Sequence, residues 1–382
     1  MKRAFLFGAG AESNFNLSCG PDFARKILIS KEPSMKDINA AIKDYYKKTK
    51  KDMLDSWYPP YAAEGWNESQ LVRAALTKKY LDVASSEDIK KNKDDISKDN
   101  ISKEVKRLMN SDDPTEKEEL LKNCTSYMGL ADARYHTLIH PKFLGPKLFW
   151  SVINCYIRAY LLITGQMFKS NEVTFDYSEI LKNPADTYGK LVEIANKRKD
   201  ENSYYKKVRE LAPNSLVITT NYTPYAKIIT EQETINIHGD FSLFESAREL
   251  RVYDVKDKEV VLPEKEVLFP YISIQGGVKP IIERKQMITY GHMVSKLSSE
   301  INQLVILGYG INSDDNHLNS VIRSFLVEDK KSVVYFDYSD GREDAIRIKL
   351  RLSKEESLGL KYIPLNKKDA VQSFADFLEN NA

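Results

Sequence analysis

The sequence predicts an α/β fold in which a parallel sheet is interrupted by a large all-helical insertion. Short apolar runs rich in Phe, Leu and β-branched residues end in glycine or polar residues, as buried strands do. These runs lie at residues 4–7, 215–222, 234–241, 302–310 and 332–338. Helical spacing between the later runs indicates the crossover helices that join parallel strands. Because the block 37–206 contains no convincing strand, we expect a discontinuous α/β domain, 1–36 and 207–382, around a helical domain, 37–206.

The elements follow from local patterns in chain order. The first strand is stopped by Gly8, and a helix is expected to begin near Asp22, a good N-cap residue. Within the helical block and after it, apolar residues at helical spacing predict helices at 67–84, 138–168, 188–197, 295–301 and 316–326. The segment 85–119 is rich in charged residues and poor in large apolar ones, which predicts a solvated helix pair or a mobile excursion.

Composition narrows the class of protein. The chain has 57 basic and 55 acidic residues, so a large nucleic-acid surface is not expected, and the basic stretch 47–51 is better explained as a solvated helix end. Arg158 interrupts the most apolar segment, 148–168, which argues against a membrane span. Three scattered cysteines and the absence of a signal-peptide pattern predict a cytoplasmic protein.

Glycine and polar residues follow four predicted strands at their carboxyl ends. They are Gly8-Ala9-Gly10, the block TTNY at 219–222, His238 within IHGD, and Gly308-Tyr309-Gly310. Carboxyl ends of parallel strands share one edge of the sheet, where α/β proteins bind ligands, so these groups are expected to meet in one crevice. The first turn alone is weak evidence for a nucleotide, because Ser13 stands where a G-x-G-x-x-G fingerprint has its third glycine.

The blocks GAGAES, TTNY, IHG and ILGYG occur in the order seen in sirtuin-like NAD-binding domains. The chain resembles the divergent bacterial branch that hydrolyses NAD in antiphage defence, and GGVKPIIE followed by LVILGYGINSDDNHLN is similar to sirtuin-like proteins encoded beside HerA-type ATPases. The resemblance implies a Rossmann-like sheet with NAD as substrate. It also has departures: no C-x-x-C pair is present, so no zinc is expected; Glu12 displaces a serine; and Thr223 replaces an acidic residue.

The resemblance implies two catalytic residues, Asn221 to hold water or the ribose hydroxyls and His238 to act as a base. It implies cofactor contacts for Gly8, Ala9, Gly10, Glu12, Ser13, Asp22, Thr220, Gly308, Tyr309, Gly310 and Asp337. Structural alternatives stay open for several of them. His238 can be a core histidine bonded to a carbonyl group, Asn221 and Asp337 can be turn residues, and Ser13 and Asp22 can be helix caps. The segment 312–315 can be a solvated helix start.

The function implied is a cytoplasmic NAD hydrolase that releases nicotinamide and ADP-ribose in antiphage defence. Since the chain ends soon after the expected catalytic core, activation is expected from homo-oligomerisation or from a partner, a HerA-type ATPase or alternatively a short Argonaute. The alternative function is a non-catalytic nucleotide-binding scaffold subunit of an ATPase or nuclease complex. A direct nucleic-acid-binding role is a third, weaker possibility.

Overall fold

The computed structural model describes residues 2–19, 22–23, 26–27, 34–49, 76, 98–111, 113, 115–124, 141–171, 173, 175–246, 251–257, 259–263, 268–273, 284–312, 315–339, 341–366 and 368–381. The chain divides into two compact units. The first comprises Met1–Leu17, Ile163–Ser273 and Val278–Ala382, and the second comprises Ser18–Leu162 and Ile274–Gly277.

The strands are β1 (Arg3–Phe7), β2 (Leu216–Thr219), β3 (Glu233–Asn236), β4 (Gly239–Ser246), β5 (Val252–Asp254), β6 (Leu268–Ile272), β7 (Gln303–Leu307), β8 (Ser332–Asp337) and β9 (Leu360–Pro364). The described helices are α1 (Met35–Thr49), α2 (Lys98–Met109), α3 (Thr115–Cys124), α4 (Pro141–Lys169), α5 (Tyr177–Lys182), α6 (Pro184–Lys197), α7 (Tyr204–Leu211), α8 (Tyr225–Thr230), α9 (Arg284–Glu300), α10 (Asn316–Val327), α11 (Glu343–Lys349) and α12 (Ala370–Asn380). Short 3-10 helices span Ala9–Phe15 and Glu356–Gly359.

A six-stranded sheet organises the first unit. Its order is β3-β2-β1-β7-β8-β9, and every neighbouring pair is parallel. Strands are added outward from β1 in one direction and from β7 in the other, which is the doubly wound, Rossmann-like arrangement. The predicted α/β class is therefore confirmed. A second, antiparallel sheet of order β5-β4-β6 was not predicted from the sequence.

Helices cover both faces of β1, which explains its uninterrupted apolar sequence. Ala4 and Leu6 belong to a buried cluster that includes residues of α9 and α10. On the other face, the Phe7 ring lies edge-on to Tyr205 of α7 at 4.9 Å, and the Phe5 ring lies edge-on to Phe374 of α12 at 6.1 Å. Helix α7 also contacts α8 and α12. For this reason segment 163–206 belongs to the compact unit of the sheet, whereas the sequence suggested a boundary at 206.

The second unit contains α1, α2 and α3. In the described part of the charged segment 85–119, α2 and α3 form a helix pair, which is one of the two predicted alternatives. Arg107 contacts Glu104 within α2 and Glu116 in α3, the latter at 2.8 Å. Arg158 is buried, and its Nη2 donates to Asn39 Oδ1 at 2.7 Å. In the described part of the chain, no helix combines the length and the apolar character needed to cross a membrane. The predicted helix 67–84 lies outside the described residues, except for residue 76.

Candidate active site

The two glycine turns meet at the carboxyl ends of β1 and β7, the point from which the sheet winds in both directions. The Gly8 N–H donates to Leu307 O at 3.0 Å, and the Gly10 N–H donates to Gly308 O at 3.0 Å. A Cβ at Gly8 would lie 2.4 Å from Gly308 O, and Gly308 itself has φ +70°. Glycine is therefore needed for backbone-to-backbone packing. The N–H groups of Gly8 and Gly10 are used within the protein, and their contact with a ligand stays a prediction, as it does for Ala9.

Beside these turns, four polar side chains form a buried network. The Asn221 Nδ2 donates to Gly8 O and to Tyr205 Oη, each at 3.1 Å. The Tyr205 hydroxyl donates to Glu12 Oε1 at 3.0 Å, and the Thr223 hydroxyl donates to the same oxygen at 2.7 Å. The network thus joins the loop after β1, the loop after β2 and helix α7. It gives the Asn221 amide a fixed orientation, with Oδ1 as the remaining acceptor.

Glu12 is a buried carboxyl group, 4% exposed. Burial raises its pKa to about 7, because a charged carboxylate is costly to remove from water, although the hydrogen bonds from Thr223 and Tyr205 act in the opposite direction. The pKa of the Tyr205 hydroxyl is also raised, first by burial and then by the Glu12 charge. Glu12, which stands where the resemblance implies a serine, is thus the acidic residue at the centre of this network.

The loop after β2 is fixed by backbone contacts as well. The Asn221 N–H donates to Thr219 Oγ1 at 3.0 Å, and the Thr220 N–H donates to Phe7 O at 3.0 Å. The Asn236 side chain donates to Asn221 O at 3.1 Å, which links this loop to the end of β3. Asn221 is therefore a turn residue whose side chain also belongs to a buried polar network. Thr220 contributes a backbone contact to β1, and its contact with a cofactor stays a prediction.

His238 lies between β3 and β4 and is 3% exposed. Its Nε2 atom is 3.1 Å from Asp315 Oδ1, and the Asp315 side chain is equally buried. Asp315 occupies the N-cap position of α10 but makes no side-chain capping hydrogen bond. The solvated helix start considered for 312–315 is thus wrong for Asp315, because its carboxylate packs against the histidine.

His317 lies next to this pair. His238, Asp315 and His317 place one donor atom each within 4.8 Å of one another, and the rings of His238 and His317 are 6.3 Å apart. Two imidazoles and a carboxylate have the chemistry of a transition-metal site. A metal ion there would compete with the direct contact between His238 and Asp315. Sequence reasoning missed this cluster, although the D-x-H spacing at 315–317, separated by four residues from the ILGYG block, was a usable signal.

Two further predicted contacts have local partners. The Ser13 hydroxyl donates to Gly10 O at 2.8 Å, one turn back in the 3-10 helix. The Asp337 carboxylate accepts the Ser339 N–H at 3.3 Å and lies 3.8 Å from Arg342 Nη1. Asp337 stands at the carboxyl end of β8, where a ribose-binding acid was expected, and its observed partners are those of a turn residue.

The remaining predicted residues make contacts of other kinds. Tyr309 is a core residue whose hydroxyl donates to Asn319 Oδ1 at 2.8 Å. The Gly310 carbonyl accepts a hydrogen bond from Lys349 Nζ at 2.7 Å. Asp22 belongs to the second unit and forms a 2.9 Å ion pair with the lysine four residues later. Cofactor contacts by these three residues stay predictions.

Comparison with solved structures finds sirtuins. A sirtuin studied for substrate affinity is 11% identical, with 100% of this chain and 94% of that chain covered and a TM-score of 0.35. A Sir2 homologue in complex with NAD is 9% identical, with 53% and 73% covered and a TM-score of 0.31. A Sir2 homologue with ADP-ribose is 8% identical, with 53% and 77% covered and a TM-score of 0.33. No protein-family model and no curated protein matches the chain. Similarity at these values carries no functional argument, and the fold class follows from the strand order.

Proposed function

We propose that the chain binds NAD at the carboxyl end of its six-stranded sheet and hydrolyses the nicotinamide–ribose bond. The observation that carries this proposal is the burial of Asn221 and His238 after neighbouring strands, each beside a buried carboxyl group, Glu12 or Asp315. Buried polar groups cost stability unless they are bonded, and Asn221 is held by hydrogen bonds to Gly8 O and Tyr205 Oη. Their concentration at the switch point of a doubly wound sheet supports a functional role.

The reaction needs little acid assistance, because nicotinamide leaves as a neutral base with the electrons of the broken bond. Water forms the new bond to the ribose carbon and loses a proton. The protein must stabilise an oxocarbenium-like centre and direct the water. Asn221 suits the second task, because its Nδ2 bonds to Gly8 O and Tyr205 Oη and its Oδ1 can accept from water or a ribose hydroxyl. His238 accepts the proton.

Glu12 bears on the recognition of nicotinamide. The resemblance implies an acidic residue at the position occupied by Thr223. The Thr223 hydroxyl donates to Glu12 Oε1 at 2.7 Å, so the loop after β1 supplies a carboxyl group beside that position. This arrangement supports an NAD site in which the acidic group comes from a different segment of the chain.

The biological setting is proposed from the resemblance alone. We propose that the activity depletes NAD in antiphage defence, in the cytoplasm. Activation comes from homo-oligomerisation or from a HerA-type ATPase, with a short Argonaute as the alternative partner. A gene for either partner beside the coding sequence would support that assignment, and co-purification of the two proteins would test it.

Nicotinamide release tests the proposed activity. The purified protein is incubated with NAD, alone and with the partner encoded beside it. Asn221→Ala and His238→Ala are expected to lower the rate by at least about 100-fold, since each removes a group that acts on the water or its proton.

Surface substitutions of the same types provide the controls. Asn196→Ala in α6 and His292→Ala in α9 change exposed residues and are expected to retain the wild-type rate. NAD binding without nicotinamide release in any assembly would overturn the hydrolase assignment in favour of the scaffold function. Undiminished release by the Asn221 and His238 variants would overturn their assignment as catalytic residues.

A further inference from the structure

We infer that Asp315 is a positioning residue for His238, holding the imidazole in one orientation beside a buried carboxylate during NAD cleavage. The inference rests on the proposed function for its kinetic consequence. Its structural basis is independent of that function: the 3.1 Å distance between His238 Nε2 and Asp315 Oδ1, with both side chains 3% exposed.

The position of Asp315 in α10 gives the first argument. Aspartate is a favoured N-cap residue because its side chain can accept a backbone N–H of the first turn, which stabilises the helix. Asp315 stands at this position and makes no such bond. The carboxylate contacts the histidine instead, so the fold gives up a local stabilisation that the residue type could provide.

Electrostatics gives the second argument. A buried carboxylate is costly unless it is paired, and here the partner is an imidazole that must become positively charged when it takes a proton from water. The N-terminus of α10, with its partial positive charge, also favours a carboxylate at this position. The Asp315 carboxylate is therefore placed to stabilise the imidazolium of His238 as it forms.

The consequence for the chemistry concerns the charge beside the ring. The 3.1 Å contact between His238 Nε2 and Asp315 Oδ1 has the distance of an ion pair and not the geometry of a hydrogen bond. Asp315 therefore acts on the imidazole as a buried negative charge, which holds the ring in place and favours the protonated form that proton uptake produces.

The kinetic test compares Asp315→Asn with Asp315→Glu. Asp315→Asn is expected to lower kcat for nicotinamide release by at least about 100-fold while KM for NAD changes by less than about threefold, because binding does not need the carboxylate. Asp315→Glu is expected to restore part of kcat. Asp344→Asn makes the same charge change at the exposed start of α11 and is expected to leave both constants unchanged.

A spectroscopic test does not depend on activity. The chain has five histidines, so the ¹⁵N shifts of the imidazoles can be followed individually, with His238 assigned from its loss in His238→Asn. Asp315→Asn is expected to shift the two nitrogens of His238 and to leave those of His292 unchanged. Unchanged His238 shifts would overturn the inference whether or not the wild-type protein hydrolyses NAD. Absent hydrolysis with shifted His238 signals would reject the proposed function and keep the pairing.

Chelation separates direct pairing from a metal-bridged cluster. After dialysis against EDTA, the His238 and His317 signals and the rate of nicotinamide release are expected to be unchanged. Loss of the rate on chelation, restored by Zn²⁺ with shifts of both histidines, would overturn the inference, since His238 would then be a metal ligand instead of a base paired with Asp315.

Discussion

At the residue scale, Glu12 makes the stability of the protein depend on pH. Its carboxyl group is buried among Tyr205, Thr223 and Asn221, and its pKa is raised to about 7 from an ordinary value of 4.5. The folded protein therefore holds a proton that the unfolded chain releases. Stability from this group is fully present below about pH 4.5 and is lost as the pH rises to about 7.

Glu12→Gln should remove this dependence. The raised pKa corresponds to about 3 kcal/mol of unfolding free energy, lost between pH 4.5 and 7 in the wild-type protein. We expect the unfolding free energy of the variant to increase relative to that of wild type as the pH rises, with the lowest relative value near pH 4.5. Urea unfolding at pH 5, 6, 7 and 8 measures the difference. A matched control is Glu343→Gln, an exposed glutamate of α11. A constant difference between wild type and Glu12→Gln at all four pH values would contradict the prediction.

The sequence shows that Glu12 departs from the glycine-loop pattern, but its hydrogen-bond partners could not be predicted from it. Its place after Gly10 could be read directly, but Tyr205 is 193 residues away and lies in a helix with ordinary amphipathic spacing. No local pattern connects the two. Asp315 shows the same limit, because an aspartate before a helix is typical of a cap, and only the fold shows that its carboxylate meets His238.

At the scale of elements, the glycines of the turns distinguish two reasons why a larger residue would destabilise the protein. One is steric overlap of a Cβ with the neighbouring backbone, and the other is backbone strain at positive φ. Gly8 has an ordinary backbone conformation, and a Cβ there would lie 2.4 Å from Gly308 O. Gly308 has φ +70° and a Cβ there would lie 2.4 Å from Ala11 N. Gly341 has the same φ with nothing within 4 Å of its Cβ position. An alanine would therefore cause steric overlap alone at Gly8, both overlap and backbone strain at Gly308, and backbone strain alone at Gly341.

Alanine substitutions at these three glycines test the interpretation. Gly341→Ala should cost about 1–2 kcal/mol, the strain of the left-handed region. Gly8→Ala should cost about 1–3 kcal/mol from overlap, and Gly308→Ala should cost more than either, because both effects act there. Chemical denaturation of the three variants gives the order. A cost of Gly308→Ala no larger than that of Gly341→Ala would show that the turns can move apart.

Strands were predictable from the sequence where both faces are buried. β1, β2, β7 and β8 are continuous apolar runs, and each was predicted within a few residues. β9 was missed because only Leu360 of its five residues is buried, and Pro364 ends it at the edge of the sheet. Burial on one side leaves too weak a pattern to distinguish such a strand from a loop.

At the scale of the whole molecule, the sheet unit is assembled from both ends of the chain. β1 comes from residues 3–7, while its neighbour β7 begins at Gln303 and the helix that covers β1 begins at Ala370. Such contacts close very long loops, which slows folding because chain entropy is lost before the contacts form. The sequence indicated a discontinuous domain, but the aromatic contacts that join its ends could not be read from it.

A substitution of Phe374 in α12 tests the packing of the C-terminal helix against β1. It is fully buried, and its ring lies edge-on to Phe5 of β1, Tyr204 of α7 and Phe336 of β8, at 5.3 to 6.1 Å. Phe374→Ala should lower the unfolding free energy by about 3–5 kcal/mol, because it leaves a cavity where three segments of the chain meet.

Stopped-flow measurements show whether the loss of unfolding free energy in Phe374→Ala comes from slower refolding or from faster unfolding. Since β1 is separated from α12 by nearly the whole sequence, we expect their contact to form late, so that Phe374→Ala accelerates unfolding more than it slows refolding. Leu358→Ala, at a position 88% exposed, should change the unfolding free energy by less than about 0.5 kcal/mol. A slower refolding rate that accounts for most of the loss in Phe374→Ala would place this contact in the folding nucleus and contradict late closure of the sheet.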